Sequence, residues 1–139
     1  MRTDTRLSRM LHVLVHMHLL GGKETSETIA LMLNTNPVVV RRTMARLKSH
    51  GIVQSEGGKG GGWVLARPAE EVSLLDVQAA LSAEDIFAIG LSSDHPKCPV
   101  EAAVNSAVGG ALEQAQVRFS ETLQGITLAD LASSFKKAE

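Results

Sequence analysis

The sequence of 139 residues contains no tyrosine, one tryptophan and three phenylalanines. A core so poor in aromatics must be built from Leu, Val, Ala and Met, which favours helices over a β-sandwich. There is one cysteine, Cys98. That excludes an intrachain disulfide and any all-cysteine zinc or iron–sulfur site within one chain. No apolar run reaches the roughly 18 residues that a membrane span requires. Charges at Arg2, Asp4, Arg6 and Arg9 precede the apolar stretch 10–20. That stretch is too short to span and too helix-periodic for a signal peptide, so a cytoplasmic protein with no membrane partner is expected. The length suits one domain, or one small domain with an appended element.

Excess charge of either sign is also missing, since the formal net charge is −1. Its distribution is uneven, however. Residues 36–67 hold six basic groups against one acidic, a net of +5, and residues 68–139 hold four against eleven, a net of −7. A basic module joined to an acidic remainder is the footprint of a binder with one charged face.

Leu7, Met10, Leu11, Leu14, Val15 and Leu19 recur at helical spacing, and Gly21-Gly22 stops that helix. Thr25 or Ser26 can cap a second helix with Ile29, Ala30 and Leu33 on its buried side. Asn34-Thr35-Asn36 reads as a tight polar turn, and Pro37 suits the first position of a third helix. Val40, Met44 and Leu47 mark the inner face of that helix, and His50-Gly51 ends it. Strands are predicted at Ile52–Glu56 and Trp63–Ala66, joined by the loop Gly57–Gly62 as a hairpin. Helix, helix, turn, helix, strand, loop, strand is the order of a winged helix-turn-helix. One further helix is predicted over Val72–Leu81. "DIFAIG", 85–90, reads as a short strand or a helical turn. A long helix follows over 99–123, with an apolar stripe at Val100, Val104, Ala107, Val108, Ala111, Leu112, Ala115, Phe119 and Leu123. Gly109-Gly110 in its middle suggest close approach by another helix. A closing helix is capped near Thr127. The expected organisation is 1–81 a winged DNA-binding domain, 82–98 a connecting segment with the Cys98 loop, and 99–139 a dimerisation helix with its closing helix.

The glycine loop lacks the spacing GxxxxGK[ST] of a phosphate loop and GxGxxG of a dinucleotide loop, and a strand follows it rather than a helix. A wing tip fits better: glycine lets the backbone lie close to sugar and phosphate, and Lys59, beside Gly60, supplies charge. On the third helix, Val38, Arg42, Ala45 and Ser49 fall opposite the buried face, flanked by Arg41 and Arg46, with no acidic residue among them. Such a face can enter the major groove, where Arg reads guanine and an apolar side chain meets a thymine methyl. The candidate DNA-binding residues are Asn36, Pro37, Val38, Val39 and Arg42 for base readout, and Arg41, Arg46, Lys48 and Lys59 for phosphate docking. His12 and His16 stand at i,i+4 with His18 nearby, but no third or fourth ligand is local, so no metal is expected. Cys98 should cap the long helix, where the helix N-terminus, Lys97 and a protonated His95 would favour thiolate. The residues alone leave two readings open, a redox- or electrophile-sensing thiol and an inert one. No base and orienting group accompany Cys98, so no catalytic residue and no cofactor are expected. A winged-helix protein–protein module remains the alternative to a DNA binder.

The stretch "GGKGGGWVLARPAEEVSLLDV" resembles the wing and following segment of the Rrf-two (Rrf2) family of bacterial winged-helix transcription regulators, and "LQGITLADL" is similar to the family's closing pattern. The family includes an iron–sulfur cluster regulator, a nitric-oxide-sensitive repressor and a cysteine-metabolism repressor. The resemblance implies a mainly α fold: a winged helix-turn-helix plus a long C-terminal dimerisation helix. It implies a homodimer on a pseudo-palindromic operator in double-stranded DNA, with Pro37–Ser49 as recognition helix and Gly57–Gly62 as wing tip. Family wings often carry an arginine at the tip; here Gly57 stands near that place and Lys59 is the basic tip residue. Cluster-binding members carry three cysteines before the long helix, whereas this chain has one. It resembles the members with a single cysteine in a Pro-x-Cys-Pro loop, which implies a regulator, expected to be a repressor, switched through Cys98 or by a small ligand.

Overall fold

Helix α1 (Arg6–Leu20) opens the fold. Its cap position Thr5 makes no side-chain bond; instead Arg6 N–H donates to the Asp4 carboxylate at 3.0 Å. The computed structural model describes residues 3–57, 61–82 and 87–136. Met10, Val13, Leu14, Val15 and Met17 form the buried side of α1. Leu19, expected inside, is instead 40% exposed. It lies half a turn from Met10, and Val13 and Met17 fill the inner face. Gly21 closes the helix at φ 71°, the left-handed conformation glycine adopts without strain.

Helix α2 (Ser26–Leu33) is capped by Thr25, whose hydroxyl accepts from Thr28 N–H. The turn bends through Asn34 at φ 53°, a residue type that tolerates left-handed backbone. Helix α3 (Pro37–Ser49) starts with proline in its first turn and buries Val40, Met44 and Leu47. Gly51, at φ 74°, turns the chain into the wing. Strands β1 (Val53–Glu56) and β2 (Gly62–Leu65) pair antiparallel, with Val53 opposite Leu65 and Glu56 opposite Gly62.

The single helix expected over Val72–Leu81 is a 3-10 turn, Ala69–Glu71, followed by α4 (Leu74–Leu81). Ser73 interrupts it as the N-cap of a capping box with Asp76. Arg67 braces this corner, donating to Gly51 O at 3.2 Å and Glu71 O at 3.3 Å and lying 3.7 Å from Asp76. Residues 87–90 of the "DIFAIG" stretch form neither strand nor helix, and 85–86 lie outside the described residues.

Helix α5 (Pro99–Gln124) runs 26 residues, about 39 Å at 1.5 Å per residue. The expected stripe splits into two adjoining faces. Leu123 is buried and Leu112 and Phe119 are half-buried, whereas Val100, Val104, Ala107, Val108, Ala111 and Ala115 are exposed. The half-buried face is covered by the chain's own connecting segment. Phe87 meets Phe119 edge-on at 6.2 Å, Asn105 Nδ2 donates to Ser92 O at 2.8 Å, and His95 N–H donates to Glu101 at 2.7 Å. Within the chain Gly109 faces Leu91: a Cβ there would sit 3.5 Å from the Leu91 side chain, an ordinary contact. A Cβ on Gly110 would meet open space.

Helix α6 (Leu128–Lys136) is capped by Thr127, whose hydroxyl accepts from Asp130 N–H at 3.1 Å. Packing here cuts across chain order. Leu128 and Ala132 lie in one core with Leu14, Ile29, Met44, Leu47, Ile52 and Val77. Leu74 N–H donates to Ile126 O and Leu128 N–H donates to Val72 O, each at 2.9 Å. The chain thus leaves the winged core at α4, travels along α5, and returns to finish that core with α6.

Candidate nucleic-acid interface

The outward face of α3 carries Val38, Arg42, Ala45 and Ser49, all exposed, with Val38 at 59% and Val39 at 43%. Large apolar groups this exposed at a helix start serve no core. Arg42 has no hydrogen-bond or ion-pair partner among the described residues. The other basic residues are engaged. Arg41 bonds Glu27 of α2 at 3.0 Å, and Lys48 Nζ donates to Ser55 Oγ of β1 at 2.9 Å. Both sit on one flank of α3. Arg46 lies on the opposite flank and donates to the carbonyl of Leu81 at 3.0 Å.

That carbonyl is the last of α4, at the negative end of its dipole, and it accepts a second bond from Arg6 at 3.2 Å. Arg6 also clamps Asp4. Its side chain first, and its backbone N–H second, hold the Asp4 carboxyl at about 2. The stability this carboxylate adds is present above its ordinary pKa and is lost as pH falls towards 2. The Asn36 side chain, expected to read bases, accepts from Val39 N–H at 3.1 Å. Its carbonyl is therefore the helix cap, and its amide remains to donate outward. Pro37 is half-buried beside it.

The wing is set against α2 by contacts that sequence reasoning missed. Glu24 pairs with Trp63 through two backbone bonds, at 2.8 and 3.0 Å, as a third, single-residue strand. Trp63 Nε1–H donates to the buried Ser26 hydroxyl at 3.0 Å. Lys23 bonds Glu56 at 2.9 Å. A Cβ on Gly62 would stand 2.8 Å from Glu24 O, so glycine is required there by close approach of backbone. The one signal for this in sequence was a lone tryptophan following glycines. Gly58, Lys59 and Gly60, which include the expected tip contacts, lie outside the described residues.

Cys98 is the N-cap of α5 and is half-buried. No cap hydrogen bond closes. Even so, the backbone N–H of Glu101 first, and of Val100 second, hold the thiol below its ordinary pKa. The expected help from Lys97 and His95 is not among the causes. His12 and His16 are exposed neighbours on α1, their Nε2 atoms 3.0 Å apart. Among the described residues no helix is long and apolar enough to cross a membrane.

Residues 3–134 match the family Rrf2, described as an iron-dependent transcriptional regulator. The chain is 35% identical over 129 residues to YwnA of Bacillus subtilis (strain 168), by name an HTH-type transcriptional regulator, covering 92% of this chain and 95% of that one. Among solved structures, T. potens IscR matches with a TM-score of 0.73 at 20% identity, covering 100% of this chain and 91% of the other. CymR, the global cysteine regulator of B. subtilis, matches with a TM-score of 0.68 at 21% identity, covering 96% and 98%. At those identities the two structures establish a shared fold. Among the described residues, the iron in the family description finds no fitting donor set within one chain. One cysteine per chain cannot ligate a cluster by itself, and among the described residues no three His, Cys, Asp or Glu side chains converge.

Proposed function

Because the chain belongs to the Rrf2 family of DNA-binding transcriptional regulators, we propose that it acts in the cytoplasm as a homodimeric repressor, each protomer laying α3 in the major groove of one half of a pseudo-palindromic operator. The observation that carries this reading is the outward face of α3, exposed and free of acidic groups, with Arg42 unengaged. Arg42 suits the O6 and N7 acceptors of guanine, and Val38 and Val39 suit thymine methyls. Asn36 and Pro37 stand at the helix start, where base edges come nearest. Arg41 reaches a phosphate by exchanging Glu27, an exposed pair that contributes little to stability. Arg46 does so only by leaving Leu81. Lys48, Lys59 and Gly60 complete the backbone contacts along the wing. The exposed stripe of α5 supplies the surface on which a second copy packs.

Fluorescence anisotropy with the DNA flanking the protein's own gene tests this. Arg42→Ala should lower affinity for the preferred sequence by about 1–3 kcal/mol and narrow its margin over random DNA. Arg41→Ala should weaken both DNAs alike and flatten the salt dependence by about one counterion. Binding that ignores salt, or that Arg42→Ala leaves unchanged, would contradict the reading and favour a protein–protein module.

Cys98 is proposed as the switch. Its thiolate attacks one oxygen of a peroxide, the O–O bond breaks, hydroxide leaves, and sulfur is oxidised to sulfenic acid as the peroxide is reduced. The added oxygen would crowd the first turn of α5, where Glu101 holds Ser92 and His95. The alkylation rate of Cys98 should rise through a pH midpoint below that of free cysteine, because the folded chain favours the thiolate. Mild peroxide should weaken operator binding in the parent and not in Cys98→Ser. An equal response in both proteins would remove Cys98 from the switch and turn the search to a small ligand.

A further inference from the structure

We infer that His12 and His16 form a chelating site for a divalent transition metal ion of tetragonal preference, Cu(II) or Ni(II), on the exposed flank of α1. The two rings project from one side of the helix, four residues apart, with centroids 4.7 Å apart and planes inclined by 54°. Their Nε2 atoms are 3.0 Å apart. Two nitrogens bound at right angles to one ion, each at about 2.1 Å, stand about 3.0 Å apart; in a tetrahedral site they stand about 3.4 Å apart. The separation is that of two cis ligands of a square-planar or octahedral ion, and a small turn of the rings away from their mutual hydrogen bond aims both lone pairs at the ion.

The surroundings favour an ion as well. Both rings are exposed. They border a groove of about 580 Å³ whose other described lining residues are Ser8, Leu11, Val15, Leu19, Leu131 and Ser134. None of these is charged, so no cation among them opposes the ion. In the metal-free pair one Nε2–H donates to the other Nε2. The ion displaces that proton, which the same ring then carries on Nδ1, leaving both Nε2 lone pairs for the metal. Water fills the other positions, so the ion stays open to a further ligand from a molecule entering the groove. Because the chelate needs one turn of folded α1, binding favours the folded state.

The test uses the full chain carrying Cys98→Ser, so that thiolate cannot take the metal. Calorimetric titration and thermal melts with nickel chloride or copper(II) chloride, in a non-chelating buffer near neutral pH, should show one ion per chain and a higher melting temperature. His12→Ala and His16→Ala should each weaken binding by about tenfold or more, since a single imidazole loses the chelate. His18→Ala and His95→Ala should not. Alanine on an exposed helical face preserves the helix, which far-UV circular dichroism verifies. Copper bound to the Cys98→Ser chain should show hyperfine coupling to two imidazole nitrogens. No uptake, or uptake and stabilisation unchanged in the double variant His12→Ala/His16→Ala, would overturn the proposal.

Discussion

Leu128→Ala should destabilise the winged domain by about 2–5 kcal/mol, the usual cost of truncating a buried leucine. In a chain of this size that corresponds to about 2–4 °C of melting temperature for each kcal/mol. Leu128 is 0% exposed and packs in the same core as Leu14, Met44 and Leu47. The bonds Leu74 N–H to Ile126 O and Leu128 N–H to Val72 O, both 2.9 Å, fix the backbone on either side. The site has little freedom to collapse onto the space left by the lost side chain, which places the cost towards the upper part of that range. Leu31→Ala is the control, because Leu31 is 81% exposed and its truncation should move stability by less than about 0.5 kcal/mol. Urea unfolding of both variants at one protein concentration measures this. A Leu128→Ala midpoint equal to the parent's would mean that α6 does not complete the core.

The second large effect is expected on α5. Val104→Asp combined with Val108→Asp should convert the protein to a monomer and reduce operator affinity by at least about a hundredfold, because two linked half-site contacts become one. Val104 is 53% and Val108 36% exposed in the single chain, and both sit within the stripe left exposed by the described residues. Two carboxylates placed in an apolar interface would each lose hydration without gaining a partner. Val117, 52% exposed, lies on the opposite side of the helix, so Val117→Asp should leave both mass and affinity unchanged. Analytical ultracentrifugation and anisotropy read the two quantities. Persistence of the dimer in the double variant would place the self-association elsewhere.

The caps at Thr25 and Thr127, the turn at Asn34 and the outward face of α3 were legible because each is local: a capping side chain, a left-handed residue, a period of 3.6; the caps at Asn36 and Ser73 were not read as such. The wing was legible from two short strand-like runs joined by glycines. Contacts made at long range were not. The stripe on α5 reads as one face because periodicity records apolar residues without recording whether 87–95 or a second molecule covers them. Leu19 reads as buried because the spacing of Leu11 and Val15 extends to it one turn further along α1, where Val13 and Met17 pack instead. Arg46 reads as a phosphate ligand because sequence shows its charge and conceals the carbonyl of Leu81, 35 residues away. The clamp of Glu24 on Gly62 and Trp63 had no local signature beyond the residues themselves.

The return of α6 to the winged core also sets an order in time. A ribosome makes residues 82–127 after α4 and before Leu128, which takes roughly 2–9 s at ordinary synthesis rates. Throughout that interval the apolar surface that Leu128 and Ala132 will cover stays open on the nascent chain. Resistance to proteases and to aggregation therefore arrives late and in one step, when the last helix docks, rather than accumulating as each element of the DNA-binding half is made.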